Sequence, residues 1–339
     1  MDNPATRPAP SSAAHRPWPG RAGSRVAITL FALFTAASAV AQAAWPTRPV
    51  KLVNAFPPGG PSDIMARAVA DVLSNQFKQP FVVENKAGAS GNIGADAVAK
   101  AAPDGHTVLF GIDSTFTVNP HIYKSMPFKP SDLRPVMVIA SSGLLVGVHP
   151  GTGFRTLQDL VAAGKARGVS FSSAGSGSPG HLAAEMFTEA TGMKITHVPY
   201  KGNTPAVTAI LAGEVNGGVL ATPGMLPHVK AGKITALAVT SSKRSALAPD
   251  VPTVAQAGLP RLEQEVLYVV MLPAATPEPI AQAVQKAIGD AMARADVRSR
   301  LDTLDLHYEG LAGPAAARRL ADLSERYGQV IRTTGMKVE

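Results

Sequence analysis

Between Val50 and Leu73 a short apolar run, a glycine turn and a helix-spaced apolar pattern follow one another without a break. That succession admits few folds. Val50 to Phe56 reads as a strand, Pro57-Pro58-Gly59-Gly60-Pro61-Ser62-Asp63 turns the chain, and Ile64, Met65, Ala68, Val69, Val72 and Leu73 recur at helical spacing. Ser62 and Asp63 are expected to cap the helix, and Gly59-Gly60 lets the backbone approach a ligand closely. Such a turn aims unpaired N–H groups and the positive end of a helix at an anion.

The same alternation continues from Trp45 onward, as in parallel α/β sheets. Strands are expected at Phe81–Glu84, Thr107–Gly111, Val169–Ser172, Ile195–Tyr200, Gly217–Leu220, Ile234–Val239 and Val266–Leu272. Helices are expected at Ile93–Ala101, Thr156–Arg167, Leu182–Ala190, before Leu211, after Thr276-Pro277-Glu278 and at Leu320–Ile331. A long, almost uncharged run covers Val136 to His149. The strand ends after Phe56, Phe110 and Phe171 open into small polar turns, where open α/β sheets bind ligands. A chain of 339 residues suits about two domains, at one per ~150 residues.

The first 43 residues are of another material. Four arginines precede an apolar run from Val26 to Ala41, too short to span a bilayer, and Ala41-Gln42-Ala43 supplies a small-x-small cleavage pattern. A secretory leader cut after Ala43 is expected, and with it a periplasmic protein. The chain has no cysteine, which excludes disulfides, thiolate metal sites and a lipid anchor. Residues 1–43 hold four basic and one acidic residue, so the net charge of +8 falls to +5 without them. No Lys/Arg cluster accompanies that excess, so nucleic acid is not an expected partner.

The motifs hold rather than transform. The Phe56–Asp63 turn lacks both the Gly-Lys-Ser/Thr ending of a nucleotide loop and the spacing of a dinucleotide fold. Arg67 lies one turn into the helix, where it can neutralise an acid. In Ser172 to His181, neither Ser176 nor Ser178 has glycine two residues to each side, as a nucleophile elbow requires. The eight histidines form no metal-binding spacing, and no cofactor is expected.

Longer segments carry a resemblance. Trp45-Pro46-Thr47-Arg48-Pro49-Val50, Phe56 to Asp63 with Ala66-Arg67, and Val83 to Gly91 are similar to the Bug-type extracytoplasmic solute receptors of tripartite tricarboxylate transport systems. Pro103-Asp104-Gly105-His106-Thr107, Ser173 to Leu182, His197 to Gly202, Ala231-Gly232-Lys233 and Pro249 to Thr253 follow in the same order. The resemblance implies a type II periplasmic binding protein, with two lobes that each hold a mixed sheet flanked by helices. It places crossings near Ile139–Gly143 and Thr240–Ser242, giving lobe I as 44–142 with 243–339 and lobe II as 143–242. It implies a monomer that holds a small carboxylate between the lobes and passes it to membrane permease subunits, or reports it in signalling. Carried over by position, lobe I contacts are Phe56, Gly59, Gly60, Asp63, Ser114 and Thr115. Lobe II contacts are Ser173, Gly175, Ser178, His181 and Tyr200. Ala55, Tyr268-Val269 and Ala274-Ala275-Thr276-Pro277 depart from the pattern and bear on which ligand is taken.

Two other readings compete. A secreted hydrolase or transferase would use Ser178 and His181 as its working pair. An effector-sensing domain of a transcription regulator would share the fold, but the leader and the missing DNA-binding helices before Trp45 oppose it.

Overall fold

The computed structural model describes residues 45–338, so the leader and its cleavage site lie outside the described residues. Among the described residues eleven strands form two sheets. They are β1 (Val50–Asn54), β2 (Phe81–Asn85), β3 (Thr107–Ile112), β4 (Leu133–Ser142), β5 (Leu144–Val148), β6 (Val169–Ser173), β7 (Ile195–Pro199), β8 (Gly217–Ala221), β9 (Thr235–Val239), β10 (Val266–Pro273) and β11 (His307–Ala312). The first sheet has the order β11-β4-β10-β3-β1-β2 and the second β7-β6-β8-β5-β9. Helices flank both, as expected for a two-lobed α/β protein.

Strand direction locates the functional edge. β1, β2 and β3 run parallel, and β10 runs against both β3 and β4, so β4 points the same way as the first three. In the second sheet β6, β7 and β8 are parallel, and β5 runs against both β8 and β9. The chain leaves β4 at Ser142 and enters β5 at Leu144, so the edge where β1–β3 end faces the edge where β6–β8 end. It leaves β9 at Val239, on that same edge, and returns to the first sheet at β10. The expected two crossings are present.

The crossings are stitched together. Thr240 donates its N–H to Leu144 O at 2.8 Å, and its Oγ1 accepts from Leu144 N at 2.9 Å. The same hydroxyl donates to Gln264 O at 2.7 Å, and Gln264 N donates to Thr240 O at 2.9 Å. Gly143 lies so close to Ser241 that an added Cβ would stand 2.8 Å from Ser241 Cβ and 2.9 Å from its N.

Central strands are buried on both faces, which explains their continuous apolar runs. All eight residues of β10 are buried, and all five of β5. One apolar core runs through the first sheet and into the second, and a smaller one lies between β5, β8 and the Asn203–Leu211 helix.

The first turn differs from expectation in one respect. Its helix spans Pro61–Phe77, with Gly60 as the cap and proline at the first position, so Ser62 and Asp63 lie inside it. Proline suits that position because its missing N–H would have no helical partner there. The last helix spans Gly313–Thr334, longer than the apolar pattern suggested. The Val136–His149 run resolves into β4 and β5, and β11 and the helices Thr222–Lys230 and Ala295–Thr303 were not anticipated either.

Candidate ligand-binding cleft

On the first sheet the Phe56–Asp63 turn is built around one carboxylate. Asp63 accepts from Gly59 N at 3.0 Å, Arg67 Nε at 3.0 Å and Asn85 Nδ2 at 2.8 Å. Burial pushes its pKa up, but the Arg67, Gly59 and Asn85 hydrogen bonds together outweigh burial and hold it below the usual carboxylate range. Asp63 therefore shapes the turn, with its side chain 4% exposed. Gly59 adopts a left-handed φ of 83°, and Gly60 offers no side-chain cap to the helix behind it. Pro61 has no N–H, so the free donors at this helix start are those of Ser62 and Asp63. Phe56 turns its carbonyl inward to Asn54 Nδ2 (2.9 Å) and Asn85 Nδ2 (3.2 Å). Its ring covers Gly91, where a Cβ would come within 3.1 Å of it and collide with Thr115 Oγ1.

After β3 the short helix Ser114–Thr117 presents Ser114 and Thr115, both buried. Thr115 Oγ1 donates to Ser90 O at 3.0 Å, and Asn119 Nδ2 donates to the same carbonyl at 3.0 Å. These bonds fix Ser90 at a left-handed φ of 51°.

The turn after β6 has the same plan on the second sheet. Ser173 Oγ accepts from Gly175 N at 3.2 Å, donates to Gly175 O at 3.1 Å and meets His197 Nε2 at 2.6 Å. Ser178 caps the Pro179–Thr191 helix, its Oγ accepting from His181 N at 3.4 Å. His181 Nδ1 accepts from Gly177 N at 3.1 Å, which assigns the ring proton to Nε2, 3.6 Å from Glu185 Oε1. The His181 and His197 rings stack at 3.8 Å with 5° between planes. Burial, and then the neighbouring His181, push the His197 pKa down to about 4, so this ring is neutral at neutral pH. Tyr200 N donates to Ser173 O at 3.0 Å, while its hydroxyl donates to Glu214 Oε2 at 3.3 Å. No hydrogen bond joins Ser178 Oγ to the His181 ring among the described residues, so the pair a hydrolase would need is not formed.

The two turns meet. Ser90 Oγ donates to Ser176 O at 3.0 Å across the gap between the sheets. A Cβ on Gly177 would stand 2.9 Å from Ile122 Cδ1 and 3.2 Å from Ser90 Oγ. Beside this seam lies a narrow slit lined by Asp113, Ser114, Val118, Leu182, Gln264 and Tyr327 among others. Among the residues singled out from sequence, only Ser114 lines it. Phe56, Gly59, Gly60, Asp63 and Thr115 surround the first turn, and Ser173, Gly175, Ser178, His181 and Tyr200 surround the second. Ser90, Asp113, Asn119 and Gln264 were missed. Asp113 alone had a legible signal, as an acid at a strand end directly before Ser114.

A sequence profile of the tripartite tricarboxylate transporter family receptors matches residues 65–336. The chain belongs to this family. The protein BugT of Bordetella pertussis is 36% identical over 312 residues, covering 89% of this chain and 94% of BugT. An R. palustris protein solved with adipate is 32% identical with a TM-score of 0.77, covering 86% of this chain and 99% of that one. The periplasmic binding protein BugD is 28% identical with a TM-score of 0.76, covering 87% and 100%. This receptor is thus a solute-binding protein of the tripartite tricarboxylate type, and its relatives are periplasmic binding proteins.

Proposed function

We propose that this receptor captures a small organic acid between its lobes and releases it to permease subunits of a tripartite carrier or to a signalling partner. The observation that carries the reading is the seam at Ser90 and Ser176, where the loop after β2, packed under the Phe56 ring at Gly91, meets the turn after β6. Free N–H groups at a helix start stabilise a carboxylate without a full countercharge. The adipate-bound relative supports an acid as the ligand. The lobes are taken as 44–142 with 243–339, and 143–242, hinged where Thr240 meets Leu144. Phe56, Gly59, Gly60, Ser114 and Thr115 would meet the ligand from one side. Ser173, Gly175 and Ser178 would meet it from the other, with Asp63, His181 and Tyr200 holding the turns in shape. The chain acts in the periplasm as a monomer, exported by its first 43 residues, and binds without catalysis.

Native mass spectrometry of the freshly purified protein tests this. A retained small acid that raises the melting temperature when added back is the expected result. Ester turnover abolished by Ser178→Ala would favour the hydrolase reading and overturn the receptor reading.

A further inference from the structure

Four buried side-chain oxygens at the facing strand ends meet no donor among the described residues: Asn54 Oδ1, Asn119 Oδ1, Thr222 Oγ1 and Gln264 Oε1. The amide orientations follow from their nitrogens. Asn54 Nδ2 donates to Phe56 O, Asn119 Nδ2 to Ser90 O and Asn92 Oδ1, and Gln264 Nε2 to Pro179 O at 2.9 Å. Flipping any of these amides would set oxygen against oxygen, so the three amide oxygens are unpaired acceptors. Gln264 is 3% exposed and lines the slit beside the seam. Two of its neighbours there, Asp113 and Glu265, are acidic. Asp113 is fully buried, accepting from Leu267 N at 2.9 Å and Thr117 Oγ1 at 3.2 Å. The Glu265 carboxylate faces Arg319 at 3.1 Å and Ser242 at 3.2 Å, which leaves that guanidinium already engaged.

We infer that this slit takes the end of the ligand opposite its carboxylate, and that this end is a hydrogen-bond donor rather than a second carboxylate. The inference rests on the receptor reading above. It divides the cleft by chemistry: N–H groups of the turns hold the acid, while Gln264 Oε1, with Asp113 and Glu265 behind it, receives an ammonium, amide or hydroxyl. A second carboxylate there would set its oxygens against Gln264 Oε1, which meets no donor among the described residues, beside the Glu265 carboxylate. Leaving a buried acceptor unpaired lowers affinity by about tenfold or more.

Calorimetric titration with linear acids of four, five and six carbons tests this, each length ending in a carboxylate, ammonium, amide or hydroxyl. At the best-fitting length a donor-ended acid should bind at least about tenfold tighter than the dicarboxylate. Gln264→Met should reduce that preference to less than about threefold while keeping carboxylate binding. Gln264→Glu, which adds charge without changing shape, should favour the ammonium-ended acid over the amide-ended one. Dicarboxylates that bind as tightly as their donor-ended counterparts at every length would overturn the inference and leave the receptor reading intact. So would a preference unchanged in both variants. Failure of the whole set to bind would overturn both.

Discussion

Asp63, in the first turn of the Pro61–Phe77 helix, and Asp113, just after β3, are both buried carboxyl groups, yet their surroundings push them in opposite directions. Asp63 has three donors, and its pKa is lowered from 3.8. The folded state therefore holds its proton less tightly than the unfolded one, so its contribution is full above about pH 4 and is lost as pH falls through the lower folded value. Asp63→Ala strands the Gly59 and Asn85 donors and should cost about 1–3 kcal/mol at neutral pH, read as a lower urea midpoint at constant slope. Asp113 is the reverse case, raised from 3.8 to about 7 by burial. Its folded state keeps a proton that the unfolded chain has released, so stability declines as pH rises from about 4 to about 7. Asp113→Asn keeps the shape and removes the titration. Its melting temperature should gain on the parent across that window and run parallel to it above pH 8. A difference that stays constant from pH 4 to 8 would contradict the buried state of Asp113.

At the scale of elements, the crossings depend on one hydroxyl. Thr240 Oγ1 serves the Leu144 N–H and the Gln264 carbonyl at once. Thr240→Val leaves both unpaired in a buried place and should cost about 1–3 kcal/mol. Faster hydrogen exchange of the Leu144 amide, beyond the global change, is the accompanying signature. Exchange that rises uniformly over both sheets would argue against a local hinge. Why some elements were legible and others not is visible at this scale. The first strand, turn and helix could be read because Pro57, Pro58, Gly59, Gly60 and Pro61 punctuate a sharp change of apolar period. The Thr222–Lys230 helix escaped because Pro223 and Pro227 argue against helix, although Pro223 falls in its first turn and Pro227 is tolerated inside it. β11 escaped because His307 to Ala312 neither alternates nor runs apolar, and all six residues are only half-buried. That strand is held by β4, with a register shift between Tyr308 and Leu311. Ser62 and Asp63 were read as caps because their residue types suit the position. Proline at the first helical position moved the cap to Gly60.

For the whole molecule, the two-sheet architecture and the strand-end turns were readable from sequence, but the seam was not. Ser90 and Ser176 are far apart in the chain, and only the opposed directions of β5 and β8 bring their turns face to face. The same holds for Gln264, whose role depends on Pro179 arriving from the other sheet. Closure around a ligand is the claim on which the functional account turns, and the absence of cysteine makes it directly measurable. Val82 on β2 and Thr196 on β7 are exposed edge-strand positions, one on each sheet. Spin labels at V82C and T196C report the distance between lobes by pulsed electron resonance, with and without the acid retained on purification. The account predicts that the acid narrows the distance distribution and shifts it to the shorter, closed value. A distribution unchanged by saturating acid would contradict it.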